Sequence, residues 1–227
     1  MADSAASQRS QIIGVSQREW EALSPAIKFK KLWSDPATKR RAQITRFEPG
    51  ATLPMHRHVG DELLYVIEGA ISDDFGTTTA GNMGYRPDGC VHTVKCSNGA
   101  MILAVITGSS EPATEMGNAP RSQNFMLSDI EWTEAMPGMR HKPIWHDKAT
   151  NRRVLLGRFE PGAKIPMHRH VGDELIFVIE GTSVDESGEV PVGDANYRPN
   201  GCVHSVWSKN GATVLSFVSG GVEMVKS

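Results

Sequence analysis

Six of the eight histidines in this chain lie in two copies of the same short phrases. The phrase HRHVGDE covers residues 56–62 and 168–174, and GCVH covers residues 89–92 and 201–204. Residues two apart on a β-strand project from the same face, so the two histidines of each HRHVGDE phrase point to one side. Imidazole nitrogens and a carboxylate oxygen together suit a divalent transition metal. The spacing therefore predicts two metal sites, with the ligands His56, His58, Glu62 and His92 in one and His168, His170, Glu174 and His204 in the other.

Each predicted site has four protein ligands, which leaves one or two positions open on a five- or six-coordinate metal. A chelating small molecule or O₂ can occupy those positions. We assign Glu62 and Glu174 a second, catalytic role, because a carboxylate beside the metal can shift and accept a proton. One divalent transition metal is expected per repeat. It can be Fe, Zn, Ni or Mn, since mixed nitrogen and oxygen ligands do not select among them.

Two further residue types near these phrases have both a functional and a structural interpretation. Arg86 and Arg198 could contact an anionic substrate, but packing and turn contacts are the preferred interpretation. Cys90 and Cys202 precede the last histidine of each set by two residues and could be thiols beside the metal. A small buried core residue is the preferred interpretation of each cysteine.

The phrases belong to a repeat that covers most of the chain. Residues 46–69 and 158–181 are identical at 20 of 24 positions when the sequence is compared with itself at an offset of 112. The repeat runs from about residue 15 to the mid-110s and from about residue 127 to the end. A unit of this length is a domain rather than a solenoid repeat. We therefore predict two domains, residues 1–118 and 119–227, with the Ser-, Pro- and Asn-rich stretch 109–124 as their linker.

Within each repeat, the secondary structure that must position the ligands is predicted to be β. Segments such as AQITRF, ELLYVIEG and AMILAVI have the length and residue types of strands, and EPGA, RPDG and SNGA resemble turns. Short strands at this spacing favour a sandwich or barrel. The only helical signal is a capping-box pattern at Ser16 and Glu19, repeated at Ser128 and Glu131, which predicts one or two helical turns.

Composition excludes several classes of protein. The chain has 227 residues, is 39% apolar and 22% charged, and carries a net charge of −2, which does not favour nucleic-acid binding. No apolar run approaches the roughly 20 residues needed to cross a bilayer, and the N-terminus lacks a secretory signal pattern. Three cysteines do not make a disulfide framework. We therefore expect a cytoplasmic protein with no membrane partner.

The spacing of glycines and ligands resembles the two sequence motifs of the cupin family. The matching residues are Gly50, His56, His58, Glu62, Gly69, Gly81, Pro87, Gly89 and His92, and in the second repeat Gly162, His168, His170, Glu174, Gly181, Gly193, Pro199, Gly201 and His204. Cys96 and Ser208 stand where the second motif ends in Asn. The amino-acid sequence around the motifs resembles the cupin domain of ChrR-type anti-sigma factors and their stand-alone relatives.

This resemblance implies an all-β bicupin, two tandem double-stranded β-helix domains of the jelly-roll, RmlC-like type, with a metal inside each barrel. ChrR-type anti-sigma factors hold their sigma factor with a separate N-terminal zinc-binding helical domain. Here about 14 residues precede the first repeat and include no His or Cys, so direct sigma-factor binding is not expected. Cupins commonly pair their sheets, so a homodimer is one arrangement that the resemblance allows.

Three classes of function remain open, because the fold alone does not define a reaction. The first is a non-haem dioxygenase type of metalloenzyme that acts on a bidentate oxygen-containing small molecule. The second is a non-redox decarboxylase or isomerase. The third is a ChrR-like sensor or regulatory module, in which a metal site and a small ligand change contacts with a partner and no catalysis occurs.

Overall fold

The structure is a computed structural model that describes residues 8–225. The elements of the first half are β1 (Gln11–Ile13), the 3-10 turn η1 (Val15–Gln17), β2 (Glu21–Ser24), β3 (Ile27–Asp35), β4 (Arg40–Phe47), β5 (Ala51–Val59), β6 (Glu62–Asp73), β7 (Gly76–Thr79), β8 (Met83–Arg86), β9 (Val91–Cys96), β10 (Ala100–Ile106) and β11 (Ser109–Pro112). Those of the second half are β12 (Gln123–Phe125), the 3-10 turn η2 (Leu127–Asp129), β13 (Thr133–Met136), β14 (Met139–Asp147), β15 (Arg152–Phe159), β16 (Lys164–Val171), β17 (Glu174–Asp185), β18 (Gly188–Pro191), β19 (Ala195–Arg198), β20 (Val203–Trp207), β21 (Ala212–Ser219) and β22 (Gly221–Met224).

Both halves fold into a curled antiparallel sheet, which confirms the predicted all-β bicupin fold. In one sheet the strand order is β11-β5-β9-β6-β10-β4-β3-β2, with β7, β8 and β12 attached beside this path. The other sheet has the order β13-β14-β15-β21-β17-β20-β16-β22, with β1, β18 and β19 attached. The equivalent strands of the two halves thus occupy equivalent places.

The chain forms two compact units that exchange their first strands. One unit is Gln17–Asp129, and the other combines Ile130–Ser227 with the described residues of Met1–Ser16. Strand β1 pairs with β19, whereas β12 pairs with β8. The stretch 109–124, predicted to be a linker, contains β11 and the start of β12. That prediction was wrong because both strands find pairing partners on sheet edges.

The helical signal is confirmed only as two single 3-10 turns, Val15–Gln17 and Leu127–Asp129. A strand begins within a few residues after each turn. The helix does not continue, because the sheet supplies more hydrogen bonds than an isolated helical turn can. No helix in the described part of the chain is long and apolar enough to cross a membrane.

The core of each unit lies inside the curl of its sheet. Leu64 and Val66 of β6 are 2% and 0% exposed, and Ile176 and Val178 of β17 are 1% and 0% exposed. Complete burial of such an aliphatic side chain stabilises the fold by about 1.5–3 kcal/mol. Since alternate residues of a strand share a face, Glu62, which begins β6, also faces this interior.

A glycine makes the turn that brings each glutamate back toward its histidines. Gly60 and Gly172 have φ angles of 88° and 108°, in the left-handed region that favours glycine. A Cβ atom at Gly172 would lie 1.6 Å from the carbonyl oxygen of Ser219, so a larger residue has no room there. The glycine of the repeated phrase is therefore required by the backbone of this turn.

Candidate metal centres

A one-residue bulge in β5 brings His56 opposite His92. Leu53 pairs with Val94, but His56 pairs with His92, so the register between β5 and β9 shifts by one residue around Pro54. A bulge at this point bends the strand and re-aims the side chains that follow it. Nδ1 of His56 donates to the carbonyl oxygen of Pro54 at 2.9 Å. The Nε2 atom of His56 is therefore left with its lone pair available for a metal.

The three histidines of the first half converge inside the sheet. The ring centroids of His56, His58 and His92 are 4.6 to 5.1 Å apart. Nε2 of His58 lies 2.9 Å from Nε2 of His92. One ligand nitrogen from each ring lies within 4.8 Å of the others. This geometry confirms that the sequence-predicted histidines meet at one point.

The nitrogen positions fit a transition metal. Two nitrogens bound about 2.1 Å from one metal, at a right angle, lie about 3 Å apart, close to the observed separation of the His58 and His92 nitrogens. Without a metal, two imidazole nitrogens at this distance require one of them to carry a proton, whereas a metal accepts both lone pairs. The chemistry of the donors therefore suits the ion that the sequence predicted.

The second half repeats this arrangement. A register shift between Ile165 and His168 places His168 opposite His204, and Nδ1 of His168 donates to the carbonyl oxygen of Pro166 at 2.9 Å. Nε2 of His170 lies 2.8 Å from Nε2 of His204. The three rings have centroids 4.5 to 5.1 Å apart. The chain therefore has two equivalent three-histidine clusters.

Burial keeps these histidines in the neutral form that binds metals. It lowers the pKa of His58 and of His170 to about 4, although the charges of Glu62 and Glu174 oppose the shift. Burial also lowers the pKa of His56 and His168, while the hydrogen bonds to the proline carbonyls oppose it. At neutral pH these four rings are uncharged, so a metal does not have to displace a proton from a cation.

Two aspartates that the sequence analysis missed support the clusters from behind. Nδ1 of His92 lies 3.3 Å from Oδ2 of Asp73, and Nδ1 of His204 lies 3.6 Å from Oδ2 of Asp185. Burial opposes ionisation of Asp73, but the hydrogen bond from His92 and the charge of Arg86 more than offset it and lower the pKa to about 2. The pKa of Asp185 is also well below its usual value. The sequence signal for these residues was that Asp occurs at both positions, which are 112 residues apart.

The two predicted glutamate ligands lie beside the clusters but have different partners. Oε2 of Glu62 is 4.0 Å from Nε2 of His58, and Oε2 of Glu174 is 3.7 Å from Nε2 of His170. Arg198 donates to Oε2 of Glu174 at 2.6 Å. Burial opposes ionisation of Glu174, but Arg198 and His170 more than offset it and lower its pKa to about 2. The membership of either glutamate in a metal site stays a prediction.

The arginines and cysteines near the clusters have structural partners. Arg86 is 2% exposed and donates to Asp73 at 2.8 Å, so it anchors the carboxylate behind His92. Cys90 and Cys202 are fully buried, and burial raises the pKa of Cys90 to about 11. Burial also raises the pKa of Cys202. Both thiols therefore remain protonated at neutral pH, as expected of core residues.

Each cluster opens into a cavity inside its own unit. The cavity of the first unit has a volume of about 130 Å³ and contains His56, His58 and Glu62 in its wall. The cavity of the second unit has a volume of about 290 Å³ and is lined by the equivalent ligands. Arg41 and Arg153 also line these cavities, and each donates to a backbone carbonyl, that of Gly108 or Gly220. The sequence analysis missed this second pair of arginines.

Comparison with known proteins gives one family. A family model described as the ChrR Cupin-like domain matches residues 8–111 and again residues 122–222. No curated protein sequence gives a significant match. The family match covers both clusters and both exchanged strands.

Similar solved structures share the fold at low sequence identity. A protein from Nostoc punctiforme, named provisionally as a dioxygenase, has a TM-score of 0.82 at 14% identity over 96% of this chain and 87% of that one. Oxalate decarboxylase from Bacillus subtilis has a TM-score of 0.71 at 16% identity, over 98% of this chain and 80% of that one. Another structure of that enzyme, from work on its Mn(II) centres, has a TM-score of 0.70 at 15% identity over 98% and 81%.

Proposed function

The chain belongs to the ChrR cupin-like domain family, and we propose that it is a small-molecule metalloenzyme of the non-haem dioxygenase type. Its substrate would be a molecule that chelates a metal through two oxygens, such as a diketone or a hydroxyketone. The observation that carries this proposal is that both units keep a largely buried three-histidine cluster open to an internal cavity. A purely structural metal is usually enclosed by its ligands, whereas a catalytic one keeps an open position.

The charge of the cavity walls supports an oxygen-rich, anionic substrate. Arg41 and Arg86 line the first cavity, and Arg153 and Arg198 line the second. In the described part of the chain, Nε and Nη1 of Arg86 have no hydrogen-bond partner. A buried donor without a partner is costly, so an oxyanion that approaches it is favoured. The same cations would hold an enolate in the orientation needed for chelation.

The protein side chains would divide the work around a bound metal. His56, His58 and His92, and their counterparts in the second unit, would hold a redox-active ion that supplies electron transfer to O₂. The apolar walls would exclude water from the reacting atoms. Glu62 would accept the proton that the substrate loses on chelation. Glu174 is less suited to keep a proton, because its pKa is about 2.

Two alternatives are each favoured by one finding. The fold shared with oxalate decarboxylase favours a non-redox reaction on a small acid, although identity of 16% shows the fold alone. Membership of the ChrR cupin-like family favours a sensor module that binds a metal and a small ligand without turnover. In each case the metal clusters would be the same, and the distinction lies in O₂ consumption and turnover.

The test begins with protein purified without a metal-affinity tag and without oxygen. We expect about two metal ions per chain by elemental analysis, and O₂ uptake when Fe(II)-loaded protein receives a diketone. Zinc in both sites, with no O₂ uptake after exchange to Fe(II), would contradict the dioxygenase proposal. Turnover of a small acid without O₂ would instead support the decarboxylase alternative.

Single-ligand variants assign the metals to the sites. His56→Ala and His168→Ala should each lower the metal content by one ion per chain, because a three-histidine site that loses one nitrogen loses much of its affinity. Arg57→Ala and Arg169→Ala are matched controls, since these exposed side chains lie between the paired histidines. The control variants should retain about two ions per chain.

A further inference from the structure

One residue beside the buried arginines differs between the two repeats. Gly84 of β8 and Asn196 of β19 occupy the same place in the repeat, and both are buried. Each lies two residues before the buried arginine of its own unit, Arg86 or Arg198, and therefore on the same face of the strand.

In the first unit the arginine fills the space that a side chain at position 84 would need. A Cβ atom added to Gly84 would lie 1.9 Å from Nη1 of Arg86. In this position Nη2 of Arg86 donates to Oδ2 of Asp73 at 2.8 Å. No ion pair joins Arg86 to Glu62 anywhere in residues 8–225. The carboxylate of Glu62 therefore faces the histidines without an ion pair to Arg86, while the charge of Arg41 acts on it.

In the second unit Asn196 makes the contact that the arginine makes in the first. Nδ2 of Asn196 donates to Oδ2 of Asp185 at 2.9 Å. Nη2 of Arg198 stays 3.6 Å from the same oxygen, and Nη1 instead donates to Oε2 of Glu174 at 2.6 Å. The main partner of the guanidinium is thus Asp73 in the first unit, whereas in the second it is Glu174 rather than Asp185.

We propose that the residue at position 84 or 196 selects which carboxylate the buried arginine neutralises, and so gives the two metal sites different ligand sets. The first site presents three histidines and a Glu62 that is not paired with Arg86. The second presents three histidines, with Glu174 held by Arg198. This inference rests on the proposed metal binding and adds a division of roles between the sites.

The consequence for a bound metal follows from charge and competition. Oε2 of Glu174 is the atom that receives the hydrogen bond from Arg198 and also the one nearest to Nε2 of His170. A metal at the second site must therefore compete with a guanidinium for that oxygen. Arg86 donates no hydrogen bond to Glu62, and Arg41 acts on that carboxylate only through its charge. The first site binds a hard divalent ion more tightly, and the second keeps an additional coordination position for an oxygen ligand of the substrate.

Co(II) titration of single-site proteins tests this directly, because its visible absorption reports the number of ligands. His170→Ala leaves the first site, and His58→Ala leaves the second. In the first background, Gly84→Asn should move Arg86 onto Glu62 and weaken Co(II) binding by about tenfold, the lower end for groups that support metal ligands. In the second, Asn196→Gly should strengthen binding to a similar degree and shift the Co(II) spectrum toward that of the first site.

Alanine at these positions separates space from hydrogen bonding. Asn196→Ala removes the amide but keeps a Cβ atom, so Arg198 should remain on Glu174 and neither the affinity nor the spectrum should change toward the first site. Gly84→Ala should act like Gly84→Asn. If both Asn196→Ala and Asn196→Gly shift the spectrum, the hydrogen bond of Asn196 rather than space makes the selection; if neither shifts it, the selection by position 196 is wrong.

Two further outcomes keep this inference distinct from the proposed function. Failure of both single-site parents to bind Co(II) would contradict metal binding itself, on which the inference rests. Normal Co(II) binding by the parents, with identical spectra at the two sites, would overturn the inference and leave the proposed function intact. The Asn196 variants remove side-chain atoms, so they decide the question even if Gly84→Asn fails to fold.

Discussion

At the scale of residues, the same burial that prepares the histidines for a metal makes the metal-free protein sensitive to acid. His58 and His170 are 6% and 3% exposed, and their pKa falls from 6.5 to about 4 on folding. In the unfolded chain each accepts a proton near pH 6.5, whereas the folded chain does so only near pH 4. Between these values the unfolded state binds more protons, so the free energy of unfolding decreases as the pH falls.

We therefore expect metal-free protein to lose stability between pH 7 and pH 5. The loss should approach a few kcal/mol for the two histidines together, at about 1.4 kcal/mol per pKa unit. Urea denaturation of chelator-treated protein at several pH values measures it. The range stops at pH 5, because Asp73 and Glu174 affect stability only below their ordinary pKa values of 3.8 and 4.5.

A double variant identifies the groups responsible. His58→Gln with His170→Gln removes the two rings whose pKa falls to about 4 and should reduce the slope of this part of the pH profile, leaving the contribution of His56 and His168. A free energy of unfolding that is constant from pH 7 to pH 5 in the unaltered metal-free protein would contradict the prediction.

The residues that could be predicted from sequence were those whose spacing reflects strand periodicity. His56 and His58 share a face because they are two apart, and the repeat doubled that signal. Asp73 lies 19 residues before its partner His92, so only the fold brings the two together. The partner of Arg198 could not be inferred either, because the difference depends on the space beside one glycine.

At the scale of elements, the exchange of β1 and β12 likewise could not be predicted from the sequence. The letters RSQ at 9–11 recur at 121–123, so the repeat begins earlier than predicted. Their partner could not be read from the pattern, since β8 and β19 both end in Tyr-Arg and offer equivalent edges. A strand of three residues carries too little hydrophobic alternation to select its edge.

The exchange brings Ser10 to the second metal site. Oγ of Ser10 donates to Oδ2 of Asp185 at 2.8 Å, and this carboxylate supports Nδ1 of His204. We expect Ser10→Ala to weaken metal binding at the second site severalfold, toward the tenfold typical of supporting groups. Competition with a chromogenic chelator, in the His58→Ala background, measures this affinity.

Ser122 provides the matched control for Ser10. Ser122 directly precedes β12 and occupies the position of Ser10 in the other repeat. It is 8% exposed and contributes to the low pKa of Asp73 in the first unit. Ser122→Ala should leave the second site unchanged. Equal weakening of both sites by Ser10→Ala would indicate general destabilisation rather than support of Asp185.

At the scale of the whole molecule, the two sites combine equal histidine clusters with unequal cavities. Four of the wall positions that differ are Leu23, Gln43, Thr45 and Ile71 in the first cavity, which correspond to Ala135, Leu155, Gly157 and Ser183 in the second. Three of these exchanges enlarge the second cavity, and the change from Gln43 to Leu155 makes its wall more apolar. The sequence showed that the copies differ, but only the fold shows which differences face a ligand.

These walls predict that the second site accepts bulkier chelators than the first. With zinc in place of a redox-active metal, 1-phenylbutane-1,3-dione should bind the second site about tenfold more tightly than the first, the discrimination expected from a better-filled apolar pocket. Gly157→Thr should abolish this preference while leaving pentane-2,4-dione binding unchanged. A Cβ atom at Gly157 meets only ordinary contacts, the nearest at 3.5 Å from Val214, so the variant should fold.

Calorimetry of single-site proteins measures both ligands, with Thr45→Gly as the reciprocal variant that should admit the larger diketone to the first cavity. Equal affinities of both sites for the phenyl diketone would show that these wall residues do not set ligand size.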